Sequence, residues 1–385
     1  MATFVISGPL ANKPGNGGEA WVRLNWILGL QKLGHEVYLI EQIDTANCAN
    51  AVGRPSSFGD SVNRTYFHQV MRTFGLADRA TVIVDDGATV DRLPLRQLNA
   101  LAESGAVLVN FSGHLKLESL FKRFRRRIYI DLDPGFTQAW QLAGQLGPLF
   151  QEHDCFFTVG TNINQPGCSI PTCGLTWLTI LPPVVLGQWT STSVTGEHFA
   201  TIGTWRCPFG SVEIAGQKMG LKHHEFRKFI ELPSRTDLKF EAALQFYPGD
   251  ESDRQALAQN GWRLVDPISC AAGPVAYRDY IRRAGAEFSA AQGVYVQTRS
   301  GWMSDRTACF LAAGRPALVQ DTGIGSELIG RGLVTFRTLD EAAAGACAIM
   351  QNYDDHSRAA RTLAQTYFDS DRVLTKFFQE AEIPS

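Results

Sequence analysis

The chain of 385 residues carries 36 Lys and Arg against 38 Asp and Glu, a formal net charge of -2, with 44% hydrophobic and 19% charged residues. At roughly 100–200 residues per domain this length implies two domains, each large enough to bury a core, and the composition is too apolar for disorder. A nearly neutral chain offers no overall field to attract nucleic acid or an anionic membrane, so neither is expected as a partner.

The chain begins Met1-Ala2-Thr3-Phe4-Val5 and enters an apolar strand without a basic leader or small-residue cleavage site, so a cytoplasmic protein is expected. The longest apolar stretch, residues 174–187, contains Pro182 and Pro183 and falls short of the roughly 20 residues that span a bilayer. The eight cysteines are scattered without paired C-x-x-C spacing, and no His-x-Glu, Asp-x-Asp or His/Cys cluster suggests a metal. Neither a disulfide nor a metal cofactor is expected.

In chain order, apolar runs alternate with segments of helical period, the pattern of a parallel sheet covered by helices. Strands are predicted at residues 3–7, 36–41, 80–85, 106–111, 127–131 and 155–159, with a helix over 19–33 that stops at Gly34. The Gly-, Pro- and Asn-rich stretch after Val159 leads to a linker near residues 188–197. The alternation then restarts. Strands are predicted at 198–203, 239–244, 262–266, 293–297 and 316–320, and helices at 214–231, 250–260, 277–284, 304–313, 341–351 and 354–367. The expected division is 1–190, 191–365 and a C-terminal helix within 366–385 that packs back on the first domain. Ligands of such halves bind beyond the carboxyl ends of their strands.

Three segments carry chemistry. The first runs from Ser7 through Gly8, Gly15, Gly17 and Gly18 to Glu19; glycines let the backbone approach a ligand, and free amides at a helix start suit a phosphate or carboxylate. No Gly-Lys-Ser/Thr follows, which excludes a P-loop, and the loop is too long for a dinucleotide fingerprint. The second, Ile202-Gly203-Thr204-Trp205-Arg206 with Lys218 after it, places two cations where they can converge on one anion. The third spans residues 300–323, with Ser304, Asp305 and Arg306 opening a helix that Gly314 closes, and Asp321 and Thr322 ending the strand begun at Pro316. On the first domain, His114 and Asp133 follow predicted strand ends and can face the cleft as acid–base groups. The run Lys122-Arg123-Phe124-Arg125-Arg126-Arg127 reads as a solvated face, and the adjacent His223 and His224 point in different directions.

The Gly17-Gly18-Glu19-Ala20 loop with its apolar helix and Gly34-His35-Glu36-Val37 turn, together with the Leu311-Ala312-Ala313-Gly314-Arg315-Pro316 run, resembles the nucleotide-sugar-dependent glycosyltransferases of GT-B fold, bacterial type. The resemblance covers nearly the whole chain. It implies an α/β protein of two Rossmann-like domains facing each other across a cleft, and transfer of a glycosyl group from a nucleoside diphosphate sugar to a hydroxyl or amine of a small-molecule or glycan acceptor. It further implies that Gly17, Gly18, Arg206, Lys218, Ser304, Asp305, Arg306, Asp321, Thr322 and Glu327 hold the donor, and that no cofactor beyond the sugar nucleotide is needed. One departure is plain: where retaining members place glutamates, this chain has Asp305-Arg306 and then only Ala308 to Leu311. Retention needs no enzymic base, whereas inversion needs one, for which Asp133 or His114 would serve. A sugar-nucleotide epimerase of the same fold and a non-catalytic sugar-nucleotide-binding module are the alternatives.

Overall fold

The computed structural model describes residues 1–190, 196–207 and 209–383. The first half builds an eight-stranded sheet from β1 (Thr3–Ser7), β2 (Glu36–Ile43), β3 (Ala80–Val84), β4 (Thr89–Asp91), β5 (Val107–Phe111), β6 (Arg126–Asp131), β7 (Cys155–Thr158) and β8 (Trp177–Thr179). The second builds a six-stranded sheet from β9 (His198–Thr204), β12 (Lys239–Gln245), β13 (Trp262–Leu264), β14 (Ala286–Ser289), β15 (Ala317–Gln320) and β16 (Leu333–Phe336), with a hairpin of β10 (Glu213–Ile214) and β11 (Gln217–Lys218) outside it. Central strands such as β3 and β5 are buried on both faces, so they read as continuous apolar runs.

The strand orders are β4-β3-β2-β1-β5-β6-β7-β8 and β13-β12-β9-β14-β15-β16. All pairs in the two sheets are parallel except β3 with β4. In each sheet the order turns back beside its first strand, between β1 and β5 and between β9 and β14, and a crevice opens beyond the carboxyl ends at such a point. The domains meet there. Trp21 Nε1 donates to the Pro274 carbonyl at 2.7 Å, and Asn162 Nδ2 donates to the carbonyls of Arg299 and Gly323 at 3.0 and 2.8 Å. Residues 191–195 of the expected linker lie outside the described residues.

The C-terminal helix Ser370–Glu380 lies on the first domain. Phe378 stacks on Phe4, and Phe377 meets Trp26 and Phe157 edge-on or tilted at ring distances of 5.1 and 4.9 Å. The turn before it, Ala364–Phe368, is π-helical.

Two predicted elements differ. Residues 293–297, read as a strand from Val294-Tyr295-Val296, form the helix Gly293–Gln297, and the strand is β14, whose central Glu287 hid it. Glu287 is fully buried because Arg306 pairs with it inside the domain. Residues 214–231 do not form one helix. Ala215 and Gly216 take positive φ of 52° and 76°, as a tight hairpin turn requires, so the chain reverses and the helix is only Lys222–Phe226.

Candidate active site between the domains

A cavity of about 260 Å³ occupies the crevice where both sheets change direction. From the first domain Glu19, Arg23 and Asp133 line it, and from the second Gln292, Tyr295 and Asp305. Glu19 and Arg23 share one face of the helix Gly17–Lys32, four residues apart, and pair at 2.7 Å. Asp133 follows β6, where its own amide donates to Asp131, a buried carboxylate held by Thr137, Gln138 and Thr158. Across the crevice the Tyr295 hydroxyl donates to Asp133 Oδ1 at 2.9 Å, with Trp302 stacked on the tyrosine ring.

Acids gathered in a poorly hydrated space resist ionisation. Burial, with the charge of Asp131, raises Asp133 to about 7. Burial and the charge of Glu19 raise Asp305 to about 6. Two carboxyls on opposite walls thus titrate near neutrality, a setting for proton transfer.

The expected site residues are distributed as follows. Asp133 and Asp305 line the cavity. His114 stands beside it, and burial, reinforced by Arg23, Lys116 and Lys13, pushes its imidazole down to about 3, so it is neutral at any working pH. Gly17 and Gly18 turn their Cα atoms toward the second domain: a Cβ on Gly17 would lie 2.3 Å from the Gly273 carbonyl oxygen, and one on Gly18 would lie 3.1 Å from the Tyr277 ring. Their lack of side chains lets the two domains close. Ser304 caps the helix Asp305–Ala312 by accepting from the Arg306 amide. Arg306 is spent internally, donating to Glu287, Ser289 and the Ile202 carbonyl. Arg206 pairs with buried Asp250. Lys218 is exposed on the hairpin, correcting its expected place at a helix start beside Arg206. Asp321 pairs with Arg337, and Thr322 donates to the Trp302 carbonyl, so both shape the loop. Glu327 lines a different cavity, of about 360 Å³.

Three residues that sequence reasoning passed over matter here. Lys222 Nζ donates to the Thr204 carbonyl at 3.2 Å and would lie 3.0 Å from a Cβ on Gly203, at the end of β9; its backbone amide donates to the side chain of Gln292 in the cavity wall. Burial and the neighbouring Arg306 lower its ammonium to about 7. Arg23, 2% exposed, has a buried Nε without a partner. Glu41 accepts from the amides of Leu10, Ala11 and Asn12 and so fixes the glycine-rich loop. The available signals were a lysine three residues from the glutamate of a short Lys-His-His-Glu helix start, and an acid within an apolar strand. In the basic run Lys122, Arg123 and Arg127 form surface pairs, whereas Arg126 donates to the Ala381 carbonyl after the C-terminal helix and Phe124 is buried. Among the described residues no group of three or more His, Cys, Asp or Glu side chains is arranged to hold a metal, and no helix is long and apolar enough to cross a membrane.

No protein-family profile and no curated protein matches the chain, whereas solved structures do. An alpha-glucosyltransferase in complex with UDP-glucose and DNA containing an abasic site matches with a TM-score of 0.63 at 11% identity, over 99% of both chains. Anabaena Alr3699/HepE in complex with UDP-glucose matches with a TM-score of 0.60 at 11% identity, over 99% of this chain and 100% of that one. These neighbours correct one expectation. Net charge near zero does not exclude nucleic acid for this architecture, because the alpha-glucosyltransferase is also held with a mismatch-containing DNA and with DNA containing an HMU base. With two doubly wound domains closed on one crevice and full-length agreement with these transferases, the chain has the GT-B fold.

Proposed function

We propose that the protein transfers a glycosyl group from a uridine diphosphate sugar to an acceptor hydroxyl or amine, without a metal ion. The observation that carries this reading is that Asp133 and Asp305, one from each domain, line one interdomain cavity with Arg23 in its wall and Lys222 beside Gln292. Breaking the bond between sugar and diphosphate leaves negative charge on the departing phosphate. Lys222 and the amides at the start of the helix Asp305–Ala312 are the groups of this chain suited to stabilise it. Asp133, steadied by Tyr295, is the group suited to take the acceptor proton. Uridine is favoured because both kinds of structural neighbour hold UDP or UDP-glucose. Residence in the cytoplasm belongs to the same proposal.

Titration calorimetry with UDP, UDP-glucose and the corresponding guanosine and thymidine compounds, in EDTA, tests the donor. Binding of the uridine compounds and UDP release from UDP-glucose are expected. Binding or turnover that requires added magnesium or manganese would sink the metal-free reading. Turnover of donor into an epimer without transfer to any acceptor would favour the epimerase instead.

A further inference from the structure

The interdomain cavity is small for the work proposed. At about 260 Å³ it lies just below the roughly 300–1,000 Å³ of single-ligand sites, so donor and acceptor need separate rooms. A second cavity of about 360 Å³ adjoins it, and Ile180, Leu181 and Met303 line both. We propose that this second chamber is the acceptor site and that it takes a neutral saccharide; the inference rests on the glycosyltransferase reading.

The chamber is built where the two domains and the C-terminal helix meet. The π-helical turn Ala364–Phe368 sets Thr366 and Tyr367 on its wall, and single π-turns of this kind occur often at functional sites. Arg372 and Lys376, one turn apart on the helix Ser370–Glu380, line it together with Glu327, and Lys376 pairs with Glu380 at 3.4 Å. Neither the Tyr367 hydroxyl nor the side chains of Arg372 and Glu327 have a protein partner among the described residues, which leaves donors and acceptors open toward the same volume. Two cations are balanced by two carboxylates. Sugar hydroxyls can both donate to those carboxylates and accept from Arg372 and Lys376, with the Tyr367 ring as an apolar platform. The shared wall puts a hydroxyl of such a ligand next to the space holding Asp133 and Asp305.

The test is saturation-transfer NMR on the full chain, saturated with UDP, using maltotriose, cellotriose and chitotriose as probes. Saturation of at least one trisaccharide is expected. Thr366→Trp, at an exposed position, fills the chamber and abolishes the signal, and Arg372→Ala weakens the affinity by about tenfold. Both variants keep wild-type UDP affinity by calorimetry. No saccharide signal with UDP bound, or a signal that Thr366→Trp leaves intact, overturns the inference alone. Failure of the wild-type chain to bind UDP overturns the donor reading beneath it.

Discussion

Lys222 shows how a single side chain separates what the sequence displays from what the fold uses. Arg206 and Lys218 sit where an anion-binding pair would be sought, yet Arg206 is engaged by Asp250 and Lys218 lies out on the hairpin. The hairpin turn at Ala215-Gly216 is what displaced the reading, because it delays the helix until Lys222. We expect Lys222→Met to weaken UDP binding by roughly 10- to 150-fold, the worth of a charge-assisted hydrogen bond, while the melting temperature at pH 7 stays at or above that of wild type, because burial disfavours the ammonium in the folded state. Since its ammonium is lowered to about 7, wild-type calorimetry at pH 8 should show uptake of a proton on binding UDP, and the variant should show none. Asp133 makes a second residue-scale test. Raised to about 7, it is charged only above that pH, so kcat/KM should climb through pH 7 and Asp133→Asn should remove the climb along with most activity. The sign for stability is opposite. A carboxyl raised by burial favours the folded state below its ordinary range, and that contribution is lost as pH rises through 7. Asp133→Asn should therefore raise the melting temperature at pH 8, and the gain should shrink toward pH 5.

Among elements, the helix Asp305–Ala312 was readable from Ser304 at one end and Gly314 at the other, and the structure has both boundaries within a residue. Its partner β14 was not readable, since a strand carrying Glu287 between Ala286 and Phe288 looks polar until Arg306 is known to reach it. That pair, with side chains 11% and 0% exposed, makes a sharp prediction. Arg306→Leu should destabilise the fold by about 3–5 kcal/mol, because it strands the Glu287 carboxylate, and Arg306→Leu with Glu287→Leu should recover much of the loss. Denaturant unfolding of the single and double variants measures it. The helix Gly17–Lys32 behaves differently. Its first residues were legible as a glycine pair at a helix start, but not that the pair serves contact with residues 273–277 of the other domain. Gly17→Ala should cost about 1–3 kcal/mol and loosen the domain contact, as small-to-large changes in packed places do.

At the level of the whole molecule, two alternating α/β halves and the returning helix were visible in hydrophobic period. The relative placement of the halves was not, because Trp21 with Pro274, Asn162 with Gly323 and Tyr295 with Asp133 join residues more than a hundred positions apart. Tyr295→Phe removes one of these bonds without changing shape. Small-angle scattering should show a larger radius of gyration for the variant than for wild type, and UDP should narrow the difference by drawing the domains together. An identical radius in both would mean that the remaining contacts hold the crevice shut unaided.

The helix Ser370–Glu380 bears on how the protein comes into being. Phe377 and Phe378 complete the aromatic packing around Phe4, Trp26 and Phe157, residues made well before them. A ribosome delivers the chain from its amino end, so the first domain must wait, with that apolar groove open, while some two hundred further residues emerge. The second domain has its last strand, β16, by residue 336, before that helix is made. Emergence of this helix therefore closes a domain whose strands were made long before it, and a nascent chain stalled before residue 370 should be a strong chaperone client.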